Sequence, residues 1–157
     1  MSSFPTGGRV YVVNNLNVVI STAITIIQIK AGATTPLYLV RASLAQRLST
    51  TSAQERVIIV RKTAAATVTS ATPLLYDGTD SAAAAVGGTT STGITASAEG
   101  TDGDILVDRP FNVLNGFEWI PTPMEMIKVP AAGFIALKFP NAPASATWSA
   151  QMVFCEV

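Results

Sequence analysis

Apolar residues along this chain come in short runs rich in Val, Ile and Thr, each bounded by Gly, Pro, Asn or Asp, the arrangement of strands separated by turns. The first run is RVYVVN, Arg9 to Asn14. The second, VVISTAITIIQI from Val18 to Ile29, sets Val18, Ile20, Thr22, Ile24 and Ile26 on one face and Val19, Ser21, Ala23, Thr25 and Ile27 on the other. Its length and β-branching predict one long strand rather than a helix, because β-branched side chains lose χ1 freedom against a helical turn. LYLVRASL, beginning at Leu37, and ERVIIVRK, beginning at Glu55, read as further strands, and the polar AQRLSTTSAQ between them leaves room for a helical turn.

From Ala64 to Gly103 the pattern weakens into Ala, Thr, Ser and Gly. TVTSATPLLY and TTSTGITAS still carry β-branched residues at strand spacing, and DSAAAAV predicts one short helix capped by Asp80 or Ser81. The alternation returns in DILVDRPF, GFEWI, GFIALKF and SATWSAQMVFCEV. The last sets Trp148, Ala150, Met152 and Phe154 against Thr147, Ser149 and Gln151. About eight to ten strands, without a strong amphipathic helix or a βαβ rhythm, predict an all-β fold. The expectation is a single antiparallel β-sandwich over residues 9–157, a jelly roll first and an immunoglobulin-like sandwich second. Residues 1–8, MSSFPTGG, predict a flexible N-terminal arm whose Phe4 and Pro5 order against a neighbour.

Only 13% of the residues are charged, against about 25% in ordinary globular domains. Charge keeps a monomer soluble and apart from its copies, so its scarcity points to surface covered in an assembly. The net charge is zero, which removes any bulk attraction to nucleic acid or anionic lipid; neither is expected as a partner. The charges are nonetheless uneven: seven basic residues and one acid precede Thr63, whereas three basic and nine acidic residues follow Tyr76. Two readings stay open, intermixing within one fold or head-to-tail contact between copies. VVISTAITIIQI is too short and too polar to cross a bilayer, which takes about 20 mostly apolar residues. MSSFPTGGR lacks the basic and then apolar regions of a secretion signal, so the expectation is a soluble protein made inside a cell.

Candidate chemistry is sparse. The chain has no histidine and one cysteine, Cys155, which removes the commonest general base, the usual partner of a nucleophile and the commonest zinc ligand. No enzyme activity and no cofactor are expected. Asp77 and Asp80 in YDGTDS, with Glu99, Asp102 and Asp104 in AEGTDGDI, read first as turn formers, with a calcium site or a hydrolase pair as alternatives. The pairs Gly7–Gly8 and Gly87–Gly88 lack the surroundings of a phosphate loop and read as turns. Arg41, Arg47, Arg56, Arg61 and Lys62 have no interleaved aromatics for stacking bases and read as a solvated rim. More informative is the segment from Asn115 to Phe139, where Pro121, Pro123 and Pro130 cannot donate to a central ladder. The apolar residues beside them, Trp119, Ile120, Met124, Met126, Ile127 and Val129, either close over the core or face a partner. The candidate interface is therefore Phe4, Pro5, Trp119, Ile120, Met124 and Met126.

The closing third, FEWIPTPMEMIKVPAAGFIALKFPNAPASATWSAQMVFCEV, resembles small β-sandwich virion proteins encoded near the capsid genes of tailed bacteriophages. The features that match are an aromatic-rich strand, a Pro-x-Pro connection, a Pro/Gly turn into an apolar strand, the NAPA turn and a last strand ending in an acidic residue. The resemblance implies a jelly-roll-like decoration or cement protein, a virion structural protein without catalytic residues. It also implies synthesis in the host cytoplasm, location on the capsid surface, the major capsid protein as partner and a homo-oligomer, often a trimer. The Ala/Thr-rich middle departs from that pattern. A jelly roll equally supports a second class, a carbohydrate- or receptor-binding module of a phage tail or fibre.

Overall fold

The structure is a computed structural model that describes residues 8–157. Phe4 and Pro5, and with them nearly all of the predicted arm, lie outside the described residues. Among the described residues twelve strands follow one another. They are β1 (Arg9–Ile20), β2 (Ile24–Lys30), β3 (Leu37–Arg47), β4 (Gln54–Ala64), β5 (Thr67–Ser70) and β6 (Leu74–Leu75). Then come β7 (Gly93–Ala98), β8 (Thr101–Asn112), β9 (Phe117–Trp119), β10 (Ile127–Val129), β11 (Phe134–Phe139) and β12 (Ala146–Glu156), with one 3₁₀ turn at Pro123–Glu125. They form two antiparallel sheets, ordered β10-β3-β12-β1-β6, with β9 also on β3, and β5-β7-β2-β11-β4-β8.

Within these orders lie β1-β12-β3-β10 facing β2-β11-β4-β8, the two four-stranded halves of a jelly roll. The all-β sandwich predicted from the alternation is therefore what the chain forms, in its jelly-roll wiring. The core between the sheets is built from the inward half of each alternation. Trp148, Met152 and Phe154 are fully buried, with Phe111 and Phe139 meeting the Trp148 ring edge-on at 6.0 and 5.0 Å. Such pairing adds to the burial of large apolar area.

Three local expectations are corrected. The long second strand is two: β1 runs through Asn15 to Ile20, and the chain turns at Ser21–Ala23 before β2. Asn14, Asn15 and Asn17 look like a turn signal, but Asn17 takes φ 55° at a register shift in the β1–β12 ladder. The asparagines thus make a bulge within a continuing strand. Asn15 is buried there and donates to the Ile26 carbonyl at 3.0 Å and to Thr95 Oγ1 at 2.9 Å. The predicted helix at DSAAAAV does not form. A single turn is costly to nucleate, and tertiary partners hold its backbone: Ala84 and Ala85 N–H donate to the Glu156 carboxylate at 2.9 and 2.8 Å, while Tyr11 Oη donates to Ser81 O at 2.9 Å. Nor does AQRLSTTSAQ hold a helical turn, because β3 continues to Arg47 and a loop follows.

The Ala/Thr-rich middle does form weakly patterned strands and loops, and their wiring is unusual. β4 joins β5 through Ala65–Ala66 and β7 joins β8 through Glu99–Gly100, yet both pairs lie four places apart in the sheet. Four strand spacings are about 19 Å, beyond the reach of a two-residue link, so the strands themselves bend. Thr67 pairs Ala98 and Ala64 pairs Thr101, which makes one bent two-stranded ribbon crossing the outward face of the sheet. Gly100 permits the crossing, since a Cβ there would lie 2.1 Å from the Ala64 carbonyl oxygen.

Candidate functional site

Two places on the sandwich concentrate chemistry, one under the ribbon and one at the open edge. Under the ribbon, Ile58, Val60 and Ala136 form a buried cluster separate from the main core, since they sit at the outward positions of β4 and β11. Lys62 and Lys138 share that outward parity. The ribbon brings down Glu99 and Asp102, so that Lys62 Nζ lies 3.2 Å from Glu99 and 2.7 Å from Asp102. Lys138 Nζ lies 3.1 and 2.6 Å from the same two carboxylates. The Lys62 side chain is wholly buried, not part of a solvated rim as its sequence position suggested.

Polar neighbours complete this latch. Thr25 donates to Glu99 from its backbone N–H at 2.6 Å and its hydroxyl at 2.7 Å. Gln28 donates to Ser91 O at 2.7 Å and accepts from Ala66 N–H at 2.9 Å. Burial alone would raise the Glu99 carboxyl, but the hydrogen bonds from Thr25 and Lys138 and the charge of Lys62 outweigh it and hold the group below its ordinary range. Burial opposes ionisation of Asp102 too, and the two lysines again reverse the balance. Lys138, which desolvation would lower, is raised by the two carboxylates. Both ammonium groups and both carboxylates are held in charged pairs, with no free base or nucleophile among them.

The remaining sequence candidates separate. Asp77 makes a turn, its Oδ1 accepting from Thr79 N–H at 2.9 Å and Thr79 Oγ1 at 2.7 Å. Among the described residues no group of three or more His, Cys, Asp or Glu side chains is placed to hold a metal ion. Cys155 is buried, and burial, with the charge of Glu156, pushes its thiol up and away from reactivity. The basic set is dispersed: Arg56 makes a two-point pair with Asp108 at 2.8 and 2.7 Å, and Arg61 donates to Lys128 O at 2.9 Å. Arg41 donates to Gln151 Oε1 and Tyr76 Oη at 2.6 and 3.1 Å. The ion pairs of Lys62 and Arg56 join the basic first half of the chain to its acidic second half within one fold. Among the described residues no helix is long and apolar enough to cross a membrane.

The open edge is where the proline-rich segment lies. β9 and β10 both pair with β3, Trp119 against Ala42 and Ile127 against Leu39. Pro121 and Pro123 break the strand between them, and Thr122 and Glu125 close the 3₁₀ turn by a reciprocal cap. Ile127 and Val129 enter the core, Trp119 and Met126 are half-buried, and Ile120 and Met124 are 67% and 86% exposed. The segment thus lids the core with one part and leaves the other part bare. Across from it runs β8, the edge strand of the opposite sheet. Between them lies a cleft of about 470 Å³, walled by Leu106, Asp108, Trp119, Ile120 and Ile127. Of the predicted interface residues, Trp119 and Ile120 line this cleft and Met124 stands on its rim turn.

The edges that flank the cleft are poor templates for strand addition. β6 and β10 are two and three residues long. β5 is covered where Val68 N–H donates to Thr89 O at 2.8 Å. β8 is long but has three register shifts against β4, and Asp104, Asp108, Arg109 and Pro110 along it. Bulges, charges and proline are how edges are kept from pairing, so a partner at this cleft meets side chains rather than backbone.

No protein-family profile, curated protein or solved structure matches this chain. The resemblance to phage virion proteins accordingly stands on the quoted residues alone.

Proposed function

We propose that this protein is a viral structural protein of the capsid-decoration class, which binds an assembled shell through non-covalent contacts and favours the closed shell over its dissociated parts. The observation that carries the reading is the cleft beside β8: Ile120 and Met124 are left bare on a jelly roll. Large exposed apolar side chains grouped at a concave site are a mark of association surfaces, and methionine adapts to such contacts. The carbohydrate- or receptor-binding alternative has less support. Tyr11 and Trp148 are buried, Tyr38 and Trp119 half-buried, and Tyr76, the exposed one, has its hydroxyl engaged by Arg41.

The test is co-sedimentation of the purified protein with shells assembled from the major capsid protein of a tailed phage, the partner class proposed here. Saturable binding by the wild type, with loss of at least tenfold in affinity for Met124→Asp, is the expected result. No binding by the wild type overturns the reading, and a hit on a glycan array moves it to the receptor-binding class.

A further inference from the structure

The cleft is one end of a longer groove. A second hollow of about 340 Å³ continues it along β8, walled by Pro110, Phe111, Gly116 and Phe117, and Arg109, Trp119 and Ile120 line both hollows. From Leu106 to Phe111 the groove runs for about six residues of extended chain, roughly 20 Å. Its walls belong to opposite sheets, β8 to one and β9 and β10 to the other. Packed sheets lie about 10 Å apart, so a helix, about 10–12 Å across with its side chains, is too wide to enter. An extended segment fits.

Charge along this groove alternates in sign. Glu125 lines only the cleft and Glu118 only the second hollow, and Arg109, common to both, stands between them. All three are exposed, and among the described residues none of them forms an ion pair. Asp108, next to Arg109, differs in being neutralised by Arg56 at 2.7 Å. The groove therefore reads acidic, basic, acidic. An occupant with the opposite order meets all three charges favourably, whereas the same order sets like charges together and costs affinity. We propose that the groove takes an extended segment of the shell protein whose charges run basic, acidic, basic, with the acidic side chain at Arg109 and an apolar one against Ile120. The proposal rests on the docking reading of the cleft and names the element that the cleft receives. Side chains rather than backbone make the contact, because the flanking edges are poor templates for strand addition.

Charge-patterned peptides test the order with the full chain and without shells. Two sets of fluorescent peptides, each about ten residues of Ala, Val and Thr, carry three charges spaced two or four residues apart, so that all three project to one side of an extended chain. One set bears Lys, Asp, Lys and the other Asp, Lys, Asp. By fluorescence anisotropy at low ionic strength, where exposed charges are least screened, the wild type is expected to hold the best of the first set at least about tenfold more tightly than the best of the second. The double change Arg109→Glu with Glu118→Arg is expected to invert that preference; Glu125, which caps its turn, stays in place. A wild type that binds both sets alike, or neither, overturns the proposal, as does a double variant that keeps the wild-type preference. In shell co-sedimentation Arg109→Glu should lower affinity at least about tenfold, and an unchanged affinity overturns the proposal while the decoration reading stands. A wild type that ignores shells yet keeps the peptide preference overturns the decoration reading while the charge order of the groove stands. Sedimentation velocity covers the remaining occupant: a wild-type oligomer that Arg109→Glu disperses into single chains means that a second copy fills the groove, and overturns the proposal.

Discussion

The outward face beneath the ribbon and the cleft at the opposite edge handle surface in contrary ways. Beneath the ribbon the fold covers Ile58, Val60 and Ala136 and matches two buried or nearly buried ammonium groups with two carboxylates. At the cleft it leaves Ile120 and Met124 in water and places charge around them. The first arrangement specifies one conformation, because each polar group there has its partners and any other placement of the ribbon would strand a charge. The second leaves apolar area whose burial is available to another molecule. A chain so poor in charge commits four of its charged residues to the latch, and that use is informative: it marks the ribbon as structure and the cleft as surface.

The hardest way to break this contrast is Lys62→Met. Removing one partner of a buried ion pair costs about 3–5 kcal/mol. Here the carboxylates are about one-third exposed and keep Lys138, which brings the expected loss to about 2–3 kcal/mol in urea unfolding. A loss below about 0.5 kcal/mol would mean that the latch does not hold the ribbon.

Acid should act on the same place more gently. Glu99 and Asp102 titrate below their ordinary values of 4.5 and 3.8 when folded, so the stability they contribute is present above those values and is lost as the pH falls through the folded ones. The thermal midpoint should be level near neutrality and drop below about pH 4, and the drop should shrink in the Glu99→Gln, Asp102→Asn protein. Lys138, raised above 10.5, adds the opposite limb: its contribution is present below that value and fades as the pH rises through the folded one. An acid limb that is unchanged in the double variant would assign the loss to other carboxylates.

The smallest effect belongs to the cleft. Met124→Ser should change unfolding free energy by less than about 0.5 kcal/mol, as exposed substitutions do, whereas Val129→Ala, four residues beyond the turn and fully buried, should cost about 1–3 kcal/mol. Equal losses at the two positions would show that Met124 is part of the core.

These regions were unequally legible in the sequence. Period-two alternation gave β12 its inward face correctly, because Trp148, Met152 and Phe154 pack against the other sheet and nothing competes with that periodicity. The cleft was legible in part: prolines located the break in the ladder, but whether Ile120 or Ile127 turns inward depends on the register with β3. The latch was hidden. Lys62 and Lys138 stand in apolar strands, ERVIIVRK and GFIALKF, at the parity of Ile58 and Ala136, which was the available signal. Pairing them with Glu99 and Asp102 required knowing that a low-complexity segment bends back across its own sheet.

The place of β12 between β1 and β3 has a consequence for how the molecule is made. Arg9 pairs with Glu156 and Thr147 with Arg47, so two strands synthesised early have no common neighbour until a strand made after β11 arrives. A ribosome adding about 5–20 residues per second leaves β1 and β3 waiting for several seconds, while β4 and β8, which pair with each other, are both made sooner. Non-local closure of this sort is slow, so the inward faces of β1 and β3 lack their common neighbour until the last strand is made.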